Sequence, residues 1–374
     1  MKMKKILIVT FHANNNYGSV LQNFALQTAI EDLGFRVDTL DYRSEVLPFL
    51  NYTRVWRKTT KGIGNHIKKL ARYFLFYKKM LARIDAFQQF RATYLSLTKR
   101  VMKDELPTLD GQYDVYIAGG EQIWNVNVIT ENEVDTYTLQ FIQSGPRAAY
   151  ATSAGSRHNI NPALVERAAA LDLVSVREHS LKEQLEQCGL SGVRDACDPV
   201  FLLEKERWEQ LLPISDPHEK PYVFAYLLCP KELPQDIRRL SRAIAAERGL
   251  KIFHVDRRIG FGTSRYEIGP IEWLSHIAHA DAVVLSSFHG LAFSIIFEKE
   301  FFLIHRPTME DRTRDLLELL GLSDRGFDSY EEYCLRKDSI PPIDWRAVKE
   351  KLAVLQKSSW DTLRDICNLS ENHA

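Results

Sequence analysis

KILIVTFHANNNYGSVLQNFALQTAIEDLGFRVDTLDY, running from Lys5 to Tyr42, decides the fold class. Lys5 to Thr10 is an apolar run of the kind that forms a strand buried on both faces. It ends in the polar segment His12 to Gly18. Val20, Leu21, Phe24, Ala25, Ala29, Ile30 and Leu33 then recur at helical spacing, and Gly34 stops the pattern. Arg36 to Tyr42 alternates, which predicts a second strand. Strand, helix and strand in succession form a βαβ unit, so a parallel sheet is expected.

The rhythm continues downstream. Asp114 to Ala118, Ala148 to Thr152 and Leu173 to Val176 each read as a strand, ending in Gly119-Gly120, Ser153-Ala154-Gly155 and Arg177-Glu178. A second series follows: strand Tyr222 to Leu228, helix Ile237 to Arg248 capped by Gly249, and strand Lys251 to Val255. Helix Ile271 to Ala280 and strand Ala282 to Leu285 complete it, and Ser286-Ser287-Phe288-His289-Gly290 opens another helix. Between the blocks lie Asp198-Pro199 and the polar stretch Ser215 to Lys220, so the domain boundary falls within roughly residues 185 to 220. The expected units are residues 1–190 and 191–374, the second carrying a C-terminal helix at 345–366. Each is a Rossmann-like α/β domain, and parallel sheets place ligands at the carboxyl ends of their strands, here in the cleft between the domains.

Composition bounds the partners. In 374 residues Lys+Arg and Asp+Glu both total 49, so no global charge favours nucleic acid or membrane. The start Met-Lys-Met-Lys-Lys precedes an apolar run too short for a secretory signal, and no stretch approaches the ~18 apolar residues of a membrane span. Cys188, Cys197, Cys229, Cys334 and Cys367 are scattered and odd in number, which argues against a disulfide framework or a structural zinc site. The expected location is cytoplasmic. Residues 46–84 alone are biased, with ten Lys or Arg and no Asp or Glu around Tyr73-Phe74-Leu75-Phe76-Tyr77. They read either as a solvated helical insertion or as a basic patch that meets anionic head groups or a lipid-linked acceptor at the inner face of a membrane.

The candidate site residues all stand at strand ends. Asn16-Tyr17-Gly18-Ser19 offers a helix N-terminus to an anion or a hydroxyl-rich ligand, or else is plain capping with Ser19 as N-cap. In Gly119-Gly120-Glu121-Gln122-Ile123-Trp124-Asn125 the glycines allow close backbone approach. Gln122, Trp124 and Asn125 then supply sugar stacking and hydrogen bonds, or the tryptophan belongs to the core. Arg177 suits a bidentate grip on carboxylate or phosphate, the alternative being an ion pair with Glu178 or another acid. Ser286, Ser287, His289 and Gly290 bring hydroxyls and an imidazole to a helix start, where the dipole favours an anion and a histidine near its ordinary pKa donates a proton. His276 and His279 are three residues apart on one helix, but no further ligand completes a metal site, so none is expected. Arg312 and Arg314 stand before Leu316-Leu317 and either reach the cleft or face solvent.

Taken in order, these pieces resemble the polysaccharide pyruvyl transferase family. The resemblance rests on Asn16-Tyr17-Gly18-Ser-Val-Leu-Gln22, Asp114 to Gly119 running into Gln122-Ile-Trp124-Asn125, and Tyr150-Ala-Thr-Ser153-Ala-Gly155. Ser175-Val-Arg177-Glu178, Asp198-Pro199 with Trp208, Gly269-Pro270-Ile-Glu272-Trp273 and Ser287-Phe288-His289-Gly290 extend it over roughly residues 5 to 325. It implies a fold similar to the two-domain GT-B type. It also implies transfer of a pyruvyl group from phosphoenolpyruvate to a saccharide as a ketal, in cell-surface polysaccharide synthesis and with no other cofactor. Arg177 and His289 match donor-binding positions, with Ser286, Ser287, Gly290 and Arg312 around the donor. His289 acts there as acid or as phosphate ligand. Asn16, Tyr17, Gly18, Gln122, Trp124, Asn125 and Ser153 lie on the acceptor side. Two departures stand out. Ser287 occupies a place where some relatives carry Arg, so Arg312 or Arg306 is expected as the second cation, and Gly120-Glu121 replaces the usual Ser-Asp. A nucleotide-sugar glycosyltransferase or a non-catalytic saccharide-binding protein would use the same architecture.

Overall fold

A computed structural model of the chain describes residues 3–43, 63–155, 160–213, 221–227, 234–256, 262–305 and 310–372. At 63–75, 234, 310, 311 and 372 only the backbone is described. Two six-stranded sheets organise these residues, and every strand pair in them is parallel. The first contains β1 (Lys5–Val9), β2 (Arg36–Thr39), β3 (Val115–Gly119), β4 (Arg147–Thr152), β5 (Leu173–Val176) and β6 (Arg194–Asp195), in the order β2-β1-β3-β4-β5-β6. The second contains β7 (Tyr222–Tyr226), β8 (Lys251–His254), β9 (Thr263–Ser264), β10 (Ala282–Leu285), β11 (Phe301–Ile304) and β12 (Gly326–Phe327). Their order is β12-β11-β10-β7-β8-β9.

In each sheet the order reverses beside its first strand, between β1 and β3 and between β7 and β10. Loops leaving such a switch point diverge and open a crevice at the carboxyl ends. The loops after β1 and β3 carry Asn16 to Ser19 and Gly120 to Asn125, and the loop after β10 carries Ser286 and Ser287.

The first helix, Tyr17–Asp32, is buried from Tyr17 through Ile30. A helix surrounded on all sides sits between layers rather than on a surface, and here it joins the two units. The apolar core around it is continuous from Ile6 and Leu21 to Trp208, Tyr222, Trp273 and Phe293. Neighbouring elements supply hydrogen bonds to its buried amides. Gln22 Nε2 donates to Thr10 Oγ1 at 3.0 Å, Thr39 Oγ1 donates to Asn23 Oδ1 at 3.1 Å, and Ser96 N donates to Gln27 Oε1 at 2.8 Å.

The first sheet runs on through Asp195, since β6 pairs in parallel with β5. The C-terminal helix Trp345–Cys367 leans back on the first unit rather than belonging to the second alone. Cys197 N donates to Ser359 Oγ at 2.8 Å, Arg194 pairs with Asp365 at 2.6 Å, and Gln356 Nε2 donates to the Phe201 carbonyl at 2.6 Å. Of the basic stretch 46–84, residues 46–62 and the side chains of 63–75 lie outside the described residues, as does the polar linker 215–220. The described end of the helix Ile63–Tyr94 grips the second domain. Lys79 Nζ donates to the Ser264 carbonyl at 3.0 Å and pairs with Glu267 at 2.9 Å, and Arg83 donates to the carbonyls of Tyr266 and Asn15, both at 3.2 Å. No helix among the described residues is long and apolar enough to cross a membrane.

Candidate active site

Arg177 follows β5 and its side chain is 3% exposed. A guanidinium so enclosed needs carboxylates, and three surround it. Asp198 pairs with Nη1, Glu178 Oε1 lies 3.5 Å from Nε, and Glu121 Oε1 lies 3.9 Å from Nη2. The guanidinium also stands over the Phe288 ring, 4.6 Å from its centroid. Pairing with Glu178 was the alternative reading of Arg177, and the structure contains that pair together with Asp198 and Glu121.

His289 reaches the same carboxylate from the second domain, with Nε2 3.4 Å from Asp198 Oδ2. Residues 177 and 289 thus converge on one buried acid that stands between the two sheets. Asp198 is fixed from behind, since Val200 N donates to Oδ1 at 3.0 Å. Burial pushes its pKa up, but Arg177 and then His289 outweigh that and leave it below the ordinary value. Glu178 goes the other way. Burial raises its pKa, and Arg177, Arg312 and the Ser153 hydroxyl, which donates to Oε1 at 2.6 Å, only partly counter it.

The imidazole of His289 is seated on Gly18. A Cβ at Gly18 would fall on Nδ1, 2.5 Å from Cγ and 2.6 Å from Cε1. Glycine is therefore required here for close approach across the domain boundary, not for an unusual turn. The helix is capped by Asn16, whose side chain accepts from Gly18 N at 2.9 Å; Ser19, the expected cap, instead donates its hydroxyl to Glu121 at 3.0 Å. Gly120 is a true left-handed position, φ +81, and a Cβ there would fall on Gln22 Oε1.

Around Phe288 the second domain adds Arg312, 5.6 Å from the ring centroid. The Gln122 amide lies between Asn125 and Arg312. In one orientation its oxygen accepts from Asn125 at 2.9 Å, and turned over it accepts from the two Arg312 nitrogens at 3.0 and 2.6 Å. Ser287 caps the helix Phe288–Ile296 by accepting from Gly290 N at 3.4 Å, and Gly290 lets Tyr226 approach. Ser286 Oγ is buried with no hydrogen-bond partner among the described residues.

Two acceptor-side assignments do not survive. Trp124 is fully buried and its indole N–H donates to the Tyr137 carbonyl at 3.0 Å, so it offers no stacking face. Tyr17 is equally buried, stacks on Trp273 at 5.0 Å, and donates to the Ile268 carbonyl at 3.0 Å. It fastens the domains together. Asn16 and Gln122 remain partly exposed, with Asn125 and Ser153 buried behind them. His276 stacks on Phe224 and His279 Nδ1 lies 2.9 Å from the Ser275 carbonyl, so the pair serves the helix. Among the described residues no group of three or more metal-ligating side chains occurs. Arg306 lies outside the described residues, and Arg314 turns outward to Asp328.

Sequence reasoning missed the buried acids Glu121 and Asp198 as named partners of Arg177, and a His12–Asp41 pair past β1 and β2. His12 Nε2 lies 3.1 Å from Asp41 Oδ1, and that hydrogen bond chiefly holds Asp41 at about 2. Arg91, also buried, donates to the Asn14 carbonyl at 3.3 Å on the same loop. Except for Arg91, which lies in the helix Ile63–Tyr94, these stand just past strand carboxyl ends, the signal that could have found them.

Solved structures share the arrangement. A putative UDP-N-acetylglucosamine 2-epimerase from Listeria monocytogenes superposes with TM-score 0.55 at 10% identity, over 99% of this chain and 96% of that one. An S. aureus MnaA–UDP co-structure gives 0.53 at 10%, over 99% and 97%. At such identities they establish the fold alone, two Rossmann-like domains of GT-B type. No curated protein matches the chain. The sequence itself goes further: residues 16–306 match the family described as polysaccharide pyruvyl transferase, and the chain belongs to that family.

Proposed function

We propose that the protein transfers a pyruvyl group from phosphoenolpyruvate to a saccharide as a ketal, in the synthesis of a cell-surface polysaccharide. One observation carries the reading. Arg177 Nε and Nη2, His289 Nε2 and Ser286 Oγ are all buried at facing strand ends; the first three meet carboxylates only at 3.5, 3.9 and 3.4 Å, longer than good hydrogen bonds, and Ser286 Oγ has no hydrogen-bond partner among the described residues. Buried donors left unmatched are costly, and an anion between the domains would satisfy them.

The donor carries a carboxylate and a phosphate. Arg177, Arg312 and the start of the helix Phe288–Ile296 would bind them, and the guanidinium fork suits either group. Protonation of the methylene carbon by His289 makes it a methyl group and leaves a cationic centre at C2. One sugar hydroxyl adds there, and the second displaces phosphate as the C2–O bond to phosphorus breaks. Of the two hydroxyl protons, one replaces that given to the methyl carbon and the other leaves with phosphate. Acceptor hydroxyls would enter over Asn16 and Gln122, which are partly exposed.

The test is incubation with isotope-labelled phosphoenolpyruvate and a panel of saccharides, following phosphate release and label transfer. Label appearing in a ketal supports the reading. Turnover of a nucleotide sugar, with phosphoenolpyruvate inert, would overturn it.

A further inference from the structure

We propose that Asp198 is a positioning residue acting as a proton-coupled latch: it shares its charge with Arg177 until an anionic donor draws on the guanidinium, whereupon His289 takes up a proton. The inference rests on the phosphoenolpyruvate reading above and concerns how that site becomes active.

The geometry is specific. One oxygen, Oδ2, faces both Arg177 Nη1 and His289 Nε2. The histidine distance, 3.4 Å, exceeds the usual hydrogen-bond range, roughly 2.7–3.2 Å for nitrogen and oxygen, so the carboxylate as it stands serves Arg177 first. Asp198 cannot follow the guanidinium, because Val200 N holds Oδ1 and the Asp-Pro step is packed against the Gly120 backbone. Its side chain is 0% exposed, so water cannot compensate the charge.

The charged groups facing this acid are few. Arg177 and Glu178 come from the end of β5, Glu121 from the loop after β3, His289 from the helix Phe288–Ile296, and Arg312 from the helix Glu310–Leu320. Three acids thus face two arginines, with Glu178 shifted toward its neutral form by burial. An anionic donor brought to Arg177 leaves negative charge in excess, and among these groups His289 is the one placed to accept a proton on Nε2 beside Asp198. The proton it gains is the one the methylene carbon needs. Donor binding and acid formation then become one event.

Calorimetric titration of the full chain with phosphoenolpyruvate, in buffers of different ionisation enthalpy, reads the coupling directly. Wild-type protein is expected to take up close to one proton per donor bound near neutral pH. His289→Gln should bind with no such uptake. Asp198→Asn should still bind within about tenfold of wild type but lose most of the uptake, and the alkaline limb of its activity profile should shift to lower pH. Circular dichroism checks folding, and Asp198→Ser, which keeps an acceptor for Val200 N, serves if the amide misfolds. Binding with buffer-independent heat in wild type, or unchanged uptake in both Asp198 variants, would overturn the latch. No phosphoenolpyruvate binding at all would instead defeat the proposed function.

Discussion

Replacing Gly18 with Ala tests the contact between the domains by its sign. Gly18 lies in the first turn of the helix Tyr17–Asp32, and alanine there normally adds about 0.8–1 kcal/mol of helix stability. Here the new methyl group meets three atoms of the His289 ring, the farthest at 2.6 Å. His289 is itself buried, and it is backed by Asp198, so the ring has little room to withdraw. Overpacking of this kind costs about 1–3 kcal/mol. The difference predicts that Gly18→Ala destabilises the protein by up to about 2 kcal/mol and lowers turnover by displacing the imidazole. In a His289→Ala background the obstruction is gone, and the same substitution should be neutral or stabilising by up to about 1 kcal/mol. Chemical denaturation of the four proteins of this cycle gives the coupling energy, expected near 1–3 kcal/mol. A Gly18→Ala protein more stable than wild type, or a penalty that persists without the imidazole, would refute the reasoning.

Other outcomes follow from the buried charges. Asp41 is held near 2 in the fold against an ordinary 3.8, chiefly by the His12 hydrogen bond, so its contribution is full above 3.8 and lost as pH falls through 2. Asp41→Asn should therefore flatten acid unfolding, with wild type losing about 1–2 kcal/mol more than the variant between neutral pH and that limit. Glu178 is raised, so its contribution is full below its ordinary 4.5 and declines as pH rises through the higher folded value. Glu178→Gln should be less sensitive than wild type to a rise in pH above 4.5 in thermal unfolding, and equal pH slopes would contradict that assignment. Trp124→Phe removes the donor to the Tyr137 carbonyl. It should cost about 1–3 kcal/mol of stability while leaving the acceptor KM unchanged, whereas a raised KM would restore the stacking role.

How much of this was legible depended on whether the information was local. β5 and β10 match their apolar runs at Leu173–Val176 and Ala282–Leu285 because strands buried on both faces need continuous hydrophobicity. β6, β9 and β12 have two residues each, too few to show a period, and pairing alone defines them. The functional residues divide the same way. Arg177 and His289 stand out as polar groups at strand ends, but Asp198 registers in the sequence only as the Asp198-Pro199 step between the two blocks, since its partners are distant in sequence. Trp124 and Tyr17 misled because an aromatic side chain reads alike whether it stacks on a sugar or fills a core. Only the completed fold, with Tyr137 and Trp273 in place, separates those uses.

The proposed function requires Arg177 and His289 to serve one anionic donor between the domains. Equilibrium binding of phosphoenolpyruvate to wild type and Arg177→Met, with UDP-N-acetylglucosamine as the comparison ligand, addresses it most directly. Wild type is expected to bind phosphoenolpyruvate, a correctly folded Arg177→Met to bind it at least about tenfold more weakly, and the nucleotide sugar to compete with neither. Equal phosphoenolpyruvate affinity in the two proteins, or binding of the nucleotide sugar alone, would contradict it.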